Sequence, residues 1–347
     1  MTNLCYDAFK NIYIEESDEL KVSACCLIPA ISVVGDKLFQ TKNLIEIRQQ
    51  FLNNKRPAAC QQCWKKESSN AISRRQGSNQ WYKDNNLDNT QEELVRIDYW
   101  VGNTCNLKCV TCGPTYSSAW QQEIGITPTT KFHTNKYWQT LDLTNIKYIH
   151  FNGGEPLLSK THIDFLQAIP IKSHVHITYN TNGTIMPSQL LLDLWAEFKL
   201  VQVDFSIDDI GTRFEYIRYP AVWDQVKDNL FKIKEYSPVN VMFAINTTIS
   251  VLNVFTYSKL TNWVRENFNT NRVTDPVELR WQWAQGILNC QTMPLSSQHN
   301  IDQQLLEYVT FIDDDTILIP KLDFLTVLDA RRGNSYTNAF SILNKYN

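Results

Sequence analysis

A surplus of positive charge is missing from this sequence: 33 lysines and arginines stand against 36 aspartates and glutamates, a net charge of −3 over 347 residues. A protein that grips a nucleic-acid backbone ordinarily carries a basic excess, so nucleic acid is not an expected partner. Lys65, Lys66, Arg74 and Arg75 form one local basic group, and a solvated face accounts for it. No apolar run approaches the ~18 residues that cross a bilayer. Near the start, no basic segment leads into an apolar one. The expectation is a soluble, cytoplasmic protein without a membrane partner. Repeats of solenoid length and low-complexity tracts are also lacking. The six histidines show no metal-ligand spacing, so none is given a role. After residue 113 the only cysteine is Cys290.

What is present is concentrated early. Nine cysteines occur, at positions 5, 25, 26, 60, 63, 105, 109, 112 and 290. The number is odd and no secretion signal is visible, so clustered thiols read as metal ligands rather than disulfides. The 43% hydrophobic and 20% charged content is ordinary for a protein with a real core. The length suits one large domain and a smaller one.

The most polar stretch, 66–93, reads as a linker with one short helix and as the domain boundary. Beyond it, strand-like segments rich in Val, Ile, Tyr, Phe and Thr fall at 95–101, 148–152, 175–181, 201–207, 239–250 and 277–283. Helix-length segments fall between them at 116–124, 162–168, 187–198, 221–236 and 254–268. This alternation predicts an α/β fold with parallel strands and right-handed crossovers. Six such units make an incomplete barrel with its chemistry at the C-terminal strand ends, and a flat doubly wound sheet is the alternative. Closing helices are expected over 301–311 and 335–344. The expected division is a cysteine-rich N-terminal domain over 1–80, a linker over 81–94, a barrel over 95–290 and a helical region over 291–347.

Just past the first barrel strand, Cys105, Cys109 and Cys112 stand three and then two residues apart. A short loop with this spacing turns three sulfurs toward one cubane face. Three ligands on a four-iron cluster leave one iron open for a substrate or cofactor. A zinc site with a distant fourth ligand is the alternative. Asn152-Gly153-Gly154-Glu155-Pro156 ends the second strand, Asn180-Thr181-Asn182-Gly183 the third, and Ser206 with Asp208 the fourth. Asn246 and Thr248 lie toward the end of the fifth.

The cysteine triplet, with Asn106-Leu107 inside it, resembles the signature of the radical S-adenosylmethionine (SAM) superfamily. The resemblance extends over about residues 95–290 and implies a partial (β/α)6 TIM-like barrel. It implies that the cluster on Cys105, Cys109 and Cys112 gives one electron to the sulfonium of SAM. Cleavage then yields methionine and a 5′-deoxyadenosyl radical that abstracts hydrogen from a substrate. Gly153, Gly154 and Glu155 match the motif whose backbone binds the methionine amino group, with glycine allowing close approach. Asn182, Ser206, Asp208, Asn246 and Thr248 fall where the family places polar contacts to SAM. Each is also an ordinary strand-end cap or turn residue.

The remaining thiols form a second group. Cys5, a hairpin pattern ending at Cys25-Cys26, and Cys60-Gln61-Gln62-Cys63-Trp64 supply enough thiolates for a complete cluster. The group resembles a twitch domain, the shorter relative of the SPASM domain. That resemblance implies an auxiliary 4Fe-4S cluster on Cys5, Cys25, Cys60 and Cys63, with Cys26 as the alternative to Cys25. Leu20 stands where the family pattern has glycine. The domain also precedes the barrel rather than following it, an order similar to that of phage and marine bacterial twitch-containing radical enzymes. Zinc is the alternative metal.

Arg218, in a strand-end loop, is a candidate for binding a substrate carboxylate or a member of a surface salt bridge. The twitch-like pattern implies a peptide or protein side chain as substrate and a reductant such as flavodoxin or ferredoxin. A small molecule or nucleotide is the alternative substrate, and a cluster-binding scaffold without turnover the third reading.

Overall fold

The computed structural model describes residues 3–16, 19–33, 37–127, 137–268 and 277–346. The six expected barrel strands form as β4 (Arg96–Trp100), β5 (Tyr148–Asn152), β6 (His176–Thr181), β7 (Leu200–Ser206), β8 (Val241–Ile249) and β9 (Glu278–Trp283). Three shorter strands precede them: β1 (Asn11–Glu16), β2 (Leu20–Ser23) and β3 (Ile31–Ser32). The order β3-β2-β1-β4-β5-β6-β7-β8-β9 makes one nine-stranded sheet. The β1–β4, β4–β5, β5–β6 and β8–β9 pairs are parallel, whereas β1–β2 and β2–β3 are antiparallel. Among the described residues no helix is long and apolar enough to cross a membrane.

The chain divides into two compact units. One contains residues 1–104, 128–179 and 189–201, and the other contains 105–127, 180–188 and 202–347. The first unit shows why its strands take this register. Ile12, Ile97, Ile149 and Ile177 stand side by side across β1, β4, β5 and β6, and Ile14, Tyr99, Phe151 and Tyr179 form the next row. All eight are fully buried. A strand alternates faces, so the intervening row, Tyr13, Asp98, His150 and Thr178, points to the other side. Phe151 stacks on Tyr179 at 4.9 Å, and Phe165 of the helix Thr161–Gln167 meets Tyr99 edge-on at 5.5 Å.

In the second unit, the helix Trp223–Tyr236 buries Trp223, Val226, Leu230 and Ile233. Their spacing of three and four residues marks one helical face. Gly183, at φ +73°, lies against this face: a Cβ there would come within 2.9 Å of the Leu230 side chain.

Three expectations change. The boundary at 81–94 does not set off an N-terminal domain, because β1 pairs with β4 and residues 1–104 lie in one unit. The buried rows continue through Ile12 and Ile14, so the hairpin completes the sheet's core. The polar stretch 66–93 holds one helix, Arg74–Asp84, opened by a Ser73–Gln76 capping box, and the helix Gln61–Ser68 ends just inside it. The helix expected over 301–311 is absent; Thr310–Ile312 instead pairs as β11 with β10 (Thr292–Pro294), and Asp302 accepts the Ser258 N–H at 2.7 Å. The main C-terminal helix is Ile319–Arg332, with proline in its first turn and Gly333 at φ +64° as its left-handed cap.

If the N-terminal hairpin is part of the sheet, a fragment comprising 95–347 alone should show no cooperative thermal transition. A sharp, reversible transition would mean that the hairpin is dispensable. In the full chain, Ile14→Ala should cost about 2–5 kcal/mol in a chemical denaturation experiment.

Candidate functional site

The three-cysteine loop runs from the end of β4 to the helix Ser118–Glu123 and contains no regular structure. Cys112 N–H bonds the Cys109 carbonyl within the loop at 3.0 Å, and other backbone groups are satisfied from outside it. Lys108 N–H donates to the Tyr219 carbonyl at 2.8 Å and Val110 N–H to the Ile217 carbonyl at 2.7 Å. Trp120 Nε1 donates to the Cys109 carbonyl at 2.8 Å. Ser117 caps the helix by accepting the Trp120 N–H at 3.2 Å and also donates to the Leu107 carbonyl at 2.5 Å. Ser118 Oγ accepts the Cys105 N–H at 3.1 Å. Leu107 and Val110 are buried and plug the loop into the core below it.

Arg332, from the C-terminal helix, closes this arrangement. It donates to the Lys108 carbonyl at 2.7 Å and to Glu123 at 3.1 Å, and Lys108 Nζ pairs with the same carboxylate at 2.8 Å. Its guanidinium lies 4.6 Å from the Trp120 ring centre.

Cys105 and Cys109 are half-buried and Cys112 is exposed. Leu107 N–H donates to Cys105 Sγ at 3.4 Å, and Asn182 Nδ2 approaches the same sulfur at 3.9 Å. Asn182 Nδ2 also donates to Asn106 Oδ1 at 3.0 Å, and Asn106 donates to Thr184 Oγ1 at 2.8 Å. Arg218 Nη1 stands 3.9 Å from Cys109 Sγ, while its Nη2 pairs with Asp208 at 3.0 Å. Burial pushes the Cys109 thiol up to about 12 and Arg218 pulls against it. Burial also raises Cys112. These thiols bind a metal only by releasing protons, so a nearby cation favours the bound form.

Arg218 is buried and internally paired, so it is not a surface salt bridge. Asp208 is also committed inside: its Oδ1 accepts the Thr248 N–H at 2.8 Å, and its carbonyl accepts Asn253 Nδ2 at 2.7 Å. Asn246 and Thr248 lie half-buried on β8, and Ser206 half-buried at the end of β7.

The glycine motif shows a different requirement from the one expected. A Cβ on Gly154 would strike the Thr104 carbonyl oxygen, and one on Gly153 would strike the Trp100 ring and come within 2.6 Å of the Gly102 oxygen. Gly153 also has φ +127°. Gly154 N–H donates to the Gly102 carbonyl and Glu155 N–H to the Thr104 carbonyl, both at 2.8 Å. The close approach that demands glycine is thus to the stem of the cysteine loop, since Thr104 directly precedes Cys105. Glu155 is buried and accepts the Leu157 N–H at 3.0 Å, capping the next turn.

The second group converges on one cavity in the first unit. Cys5, Cys25, Cys60 and Cys63 line it together with Ile28, Phe51, Arg74 and Arg75. Cys25 and Cys63 are buried, whereas Cys26 is exposed. Cys60 caps the helix Gln61–Ser68 and Cys63 lies in its first turn, where the helix dipole favours negative charge. Burial pushes Cys60 up to about 12, and it raises Cys5 and Cys25 well above the usual thiol range.

Two arginines face this cavity. Arg75 pairs with Glu67 at 2.7 Å and donates to the Leu4 carbonyl at 2.8 Å. Arg74 joins Asp98 of β4 and lies 3.3 Å from Asp7. Burial would raise the Asp98 carboxyl, but Arg74 and then His150 outweigh it and hold it well below the usual carboxylate range.

Both donor sets fit iron–sulfur chemistry: three thiols on one loop with N–H groups and a guanidinium turned to the sulfurs, and four thiols around one apolar cavity with cations at its wall. Four thiolates also suit zinc by their chemistry, but among the described residues no group of three or more His, Cys, Asp or Glu side chains is placed to hold a single metal ion. Sequence reasoning gave no role to Asn106, Thr184, Glu123 or Arg332. Asn106 and Thr184 sit beside recognised motif residues and carried a local signal; Arg332 carried none, because its contact spans 224 positions.

Residues 100–262 match the family model of the Radical SAM superfamily. Over 130 residues the chain is 28% identical to the Probable GTP 3',8-cyclase of Methanocella arvoryzae, which is 37% of this chain and 39% of that protein. Among solved structures, anSMEcpe with bound AdoMet shares 17% identity at a TM-score of 0.40, covering 55% of this chain and 51% of its own. Streptococcus suis SuiB bound to precursor peptide SuiA shares 12% identity at a TM-score of 0.41, covering 99% and 75%. The chain thus spans about two fifths of the cyclase and half of anSMEcpe. The thiol spacing, the glycine motif strapped to the loop's stem and the match over residues 100–262 together identify a Radical SAM superfamily domain in this chain.

Proposed function

We propose that this protein is a radical SAM enzyme that modifies a peptide or protein side chain. The observation that carries the reading is the three-thiol loop, tied by its backbone to residues 217–219 and presenting Cys105, Cys109 and Cys112 with no fourth protein thiol in the loop. A cluster bound there supplies the electron that cleaves SAM to methionine and a hydrogen-abstracting 5′-deoxyadenosyl radical. The chain's own work is positional. Ser118, Asn182 and Arg218 hold the loop and its sulfurs, and Leu107 and Val110 keep water from beneath it.

The peptide substrate and an auxiliary 4Fe-4S cluster are supported by the second thiol group, which lines a single cavity and has the spacing of a twitch-like domain. Such a cluster binds substrate or relays an electron, with flavodoxin or ferredoxin as the external reductant. A nucleotide substrate is the second reading, favoured by the cyclase relative.

Anaerobic reconstitution followed by mass spectrometry of 5′-deoxyadenosine tests the central reading, with candidate peptides and GTP as separate additions. Replacing Cys105, Cys109 and Cys112 together by Ala should abolish 5′-deoxyadenosine formation and remove about four irons per chain. Cleavage that survives in this variant would sink the assignment.

Cys60→Ala with Cys63→Ala should remove about four further irons and leave some SAM cleavage. Loss of one zinc instead would make the second site a zinc site.

For Gly154→Val, the added side chain meets Thr104 rather than an empty cradle. Iron retention and SAM cleavage should both fall, the latter about tenfold or more. Full iron with weakened SAM affinity alone would show that the loop's stem tolerates the side chain.

A further inference from the structure

The two residues facing Cys109 form a charge device of their own. Arg218 and Asp208 are both buried, at 8% and 1% exposure. Asp208 divides its carboxylate: Oδ1 takes the Thr248 N–H at 2.8 Å and Oδ2 pairs with Arg218 Nη2 at 3.0 Å. Arg218 divides its guanidinium in the same way, with Nη2 on the carboxylate and Nη1 3.9 Å from Cys109 Sγ. Its Nε is buried and makes no hydrogen bond. The planar fork bridges a carboxylate and a sulfur at once, which a lysine's single ammonium does not do. A guanidinium is charged in proteins, and the carboxylate 3.0 Å away offsets the cost of burying it.

We propose that Arg218, aimed by Asp208, is a positioning residue that sets the reduction potential of the cluster through the Cys109 sulfur. The inference rests on the reading that Cys105, Cys109 and Cys112 hold an iron–sulfur cluster. Cluster potentials follow net charge and hydrogen bonds to the sulfurs. Reduction adds a negative charge, so a cation beside one sulfur favours the reduced state, and the carboxylate behind it partly offsets that effect. This role differs from binding a substrate carboxylate, because it acts with no substrate present.

The test is a redox titration followed by electron paramagnetic resonance, on reconstituted full-length protein without SAM. A Cys60→Ala, Cys63→Ala background leaves the three-thiol loop as the signal's source. Arg218→Met should move the midpoint to a more negative potential, Asp208→Asn should move it to a more positive one, and Arg218→Lys should fall between wild type and Arg218→Met. An unchanged midpoint in Arg218→Met with iron fully retained overturns the proposal. If Arg218→Met fails to hold iron, Asp208→Asn and Arg218→Lys decide: shifts in the stated directions support it, and wild-type midpoints in both overturn it. A wild-type loop that yields no cluster signal is a failure of the underlying cluster reading instead.

Discussion

The site depends on two backbone hydrogen bonds, from Lys108 and Val110 N–H to the Tyr219 and Ile217 carbonyls. Inside the loop only short turns form, such as Cys112 N–H to the Cys109 carbonyl, and unpaired buried amides are costly. The last residue of the helix Gly211–Ile217 and the turn after it supply the acceptors. Once those bonds form, Leu107 and Val110 are buried, Trp120 reaches the Cys109 carbonyl, and the three sulfurs are left on the loop's free side. The same strap brings Arg218, which lies between its two acceptor residues, to the Cys109 sulfur.

Charge is handled alike at both thiol groups. Burial raises the thiols, and guanidiniums pull against it: Arg218 at Cys109, Arg74 at Cys25 and Arg75 at Cys60. Each arginine is anchored by a carboxylate, namely Asp208, Asp98 and Glu67. A lone cation buried as Arg218 and Arg75 are would be costly, and the carboxylate both offsets that cost and aims the fork. Removing either partner strands the other, so these pairs are structural constraints as well as electrostatic ones.

The two glycines of the motif extend the constraint to the loop's other end. Gly153 and Gly154 leave no room for side chains because Trp100, Gly102 and Thr104 occupy that space. The N–H groups of Gly154 and Glu155 then hold the stem at residues 102 and 104. The chain leading into Cys105 is therefore set by the turn after β5, and the chain leaving Cys109 by residues 217–219.

Much of the fold was legible in the residues. Strands β4 to β9 fall within a residue or two of the expected segments, because period-2 burial of β-branched and aromatic side chains is a short-range property. The thiol spacing and the glycine motif are equally local, and they identified the domain. What the sequence by itself determined was the inventory of strands and thiols. Only the tertiary structure decided their partners. The N-terminal hairpin joins the sheet because Ile12 and Ile14 complete rows that begin on other strands. The glycines meet the cysteine stem, and Arg218 and Arg332 reach the loop across 109 and 224 positions of chain. Such contacts depend on where folding brings distant segments, and no periodicity or spacing in a single strand or loop encodes that.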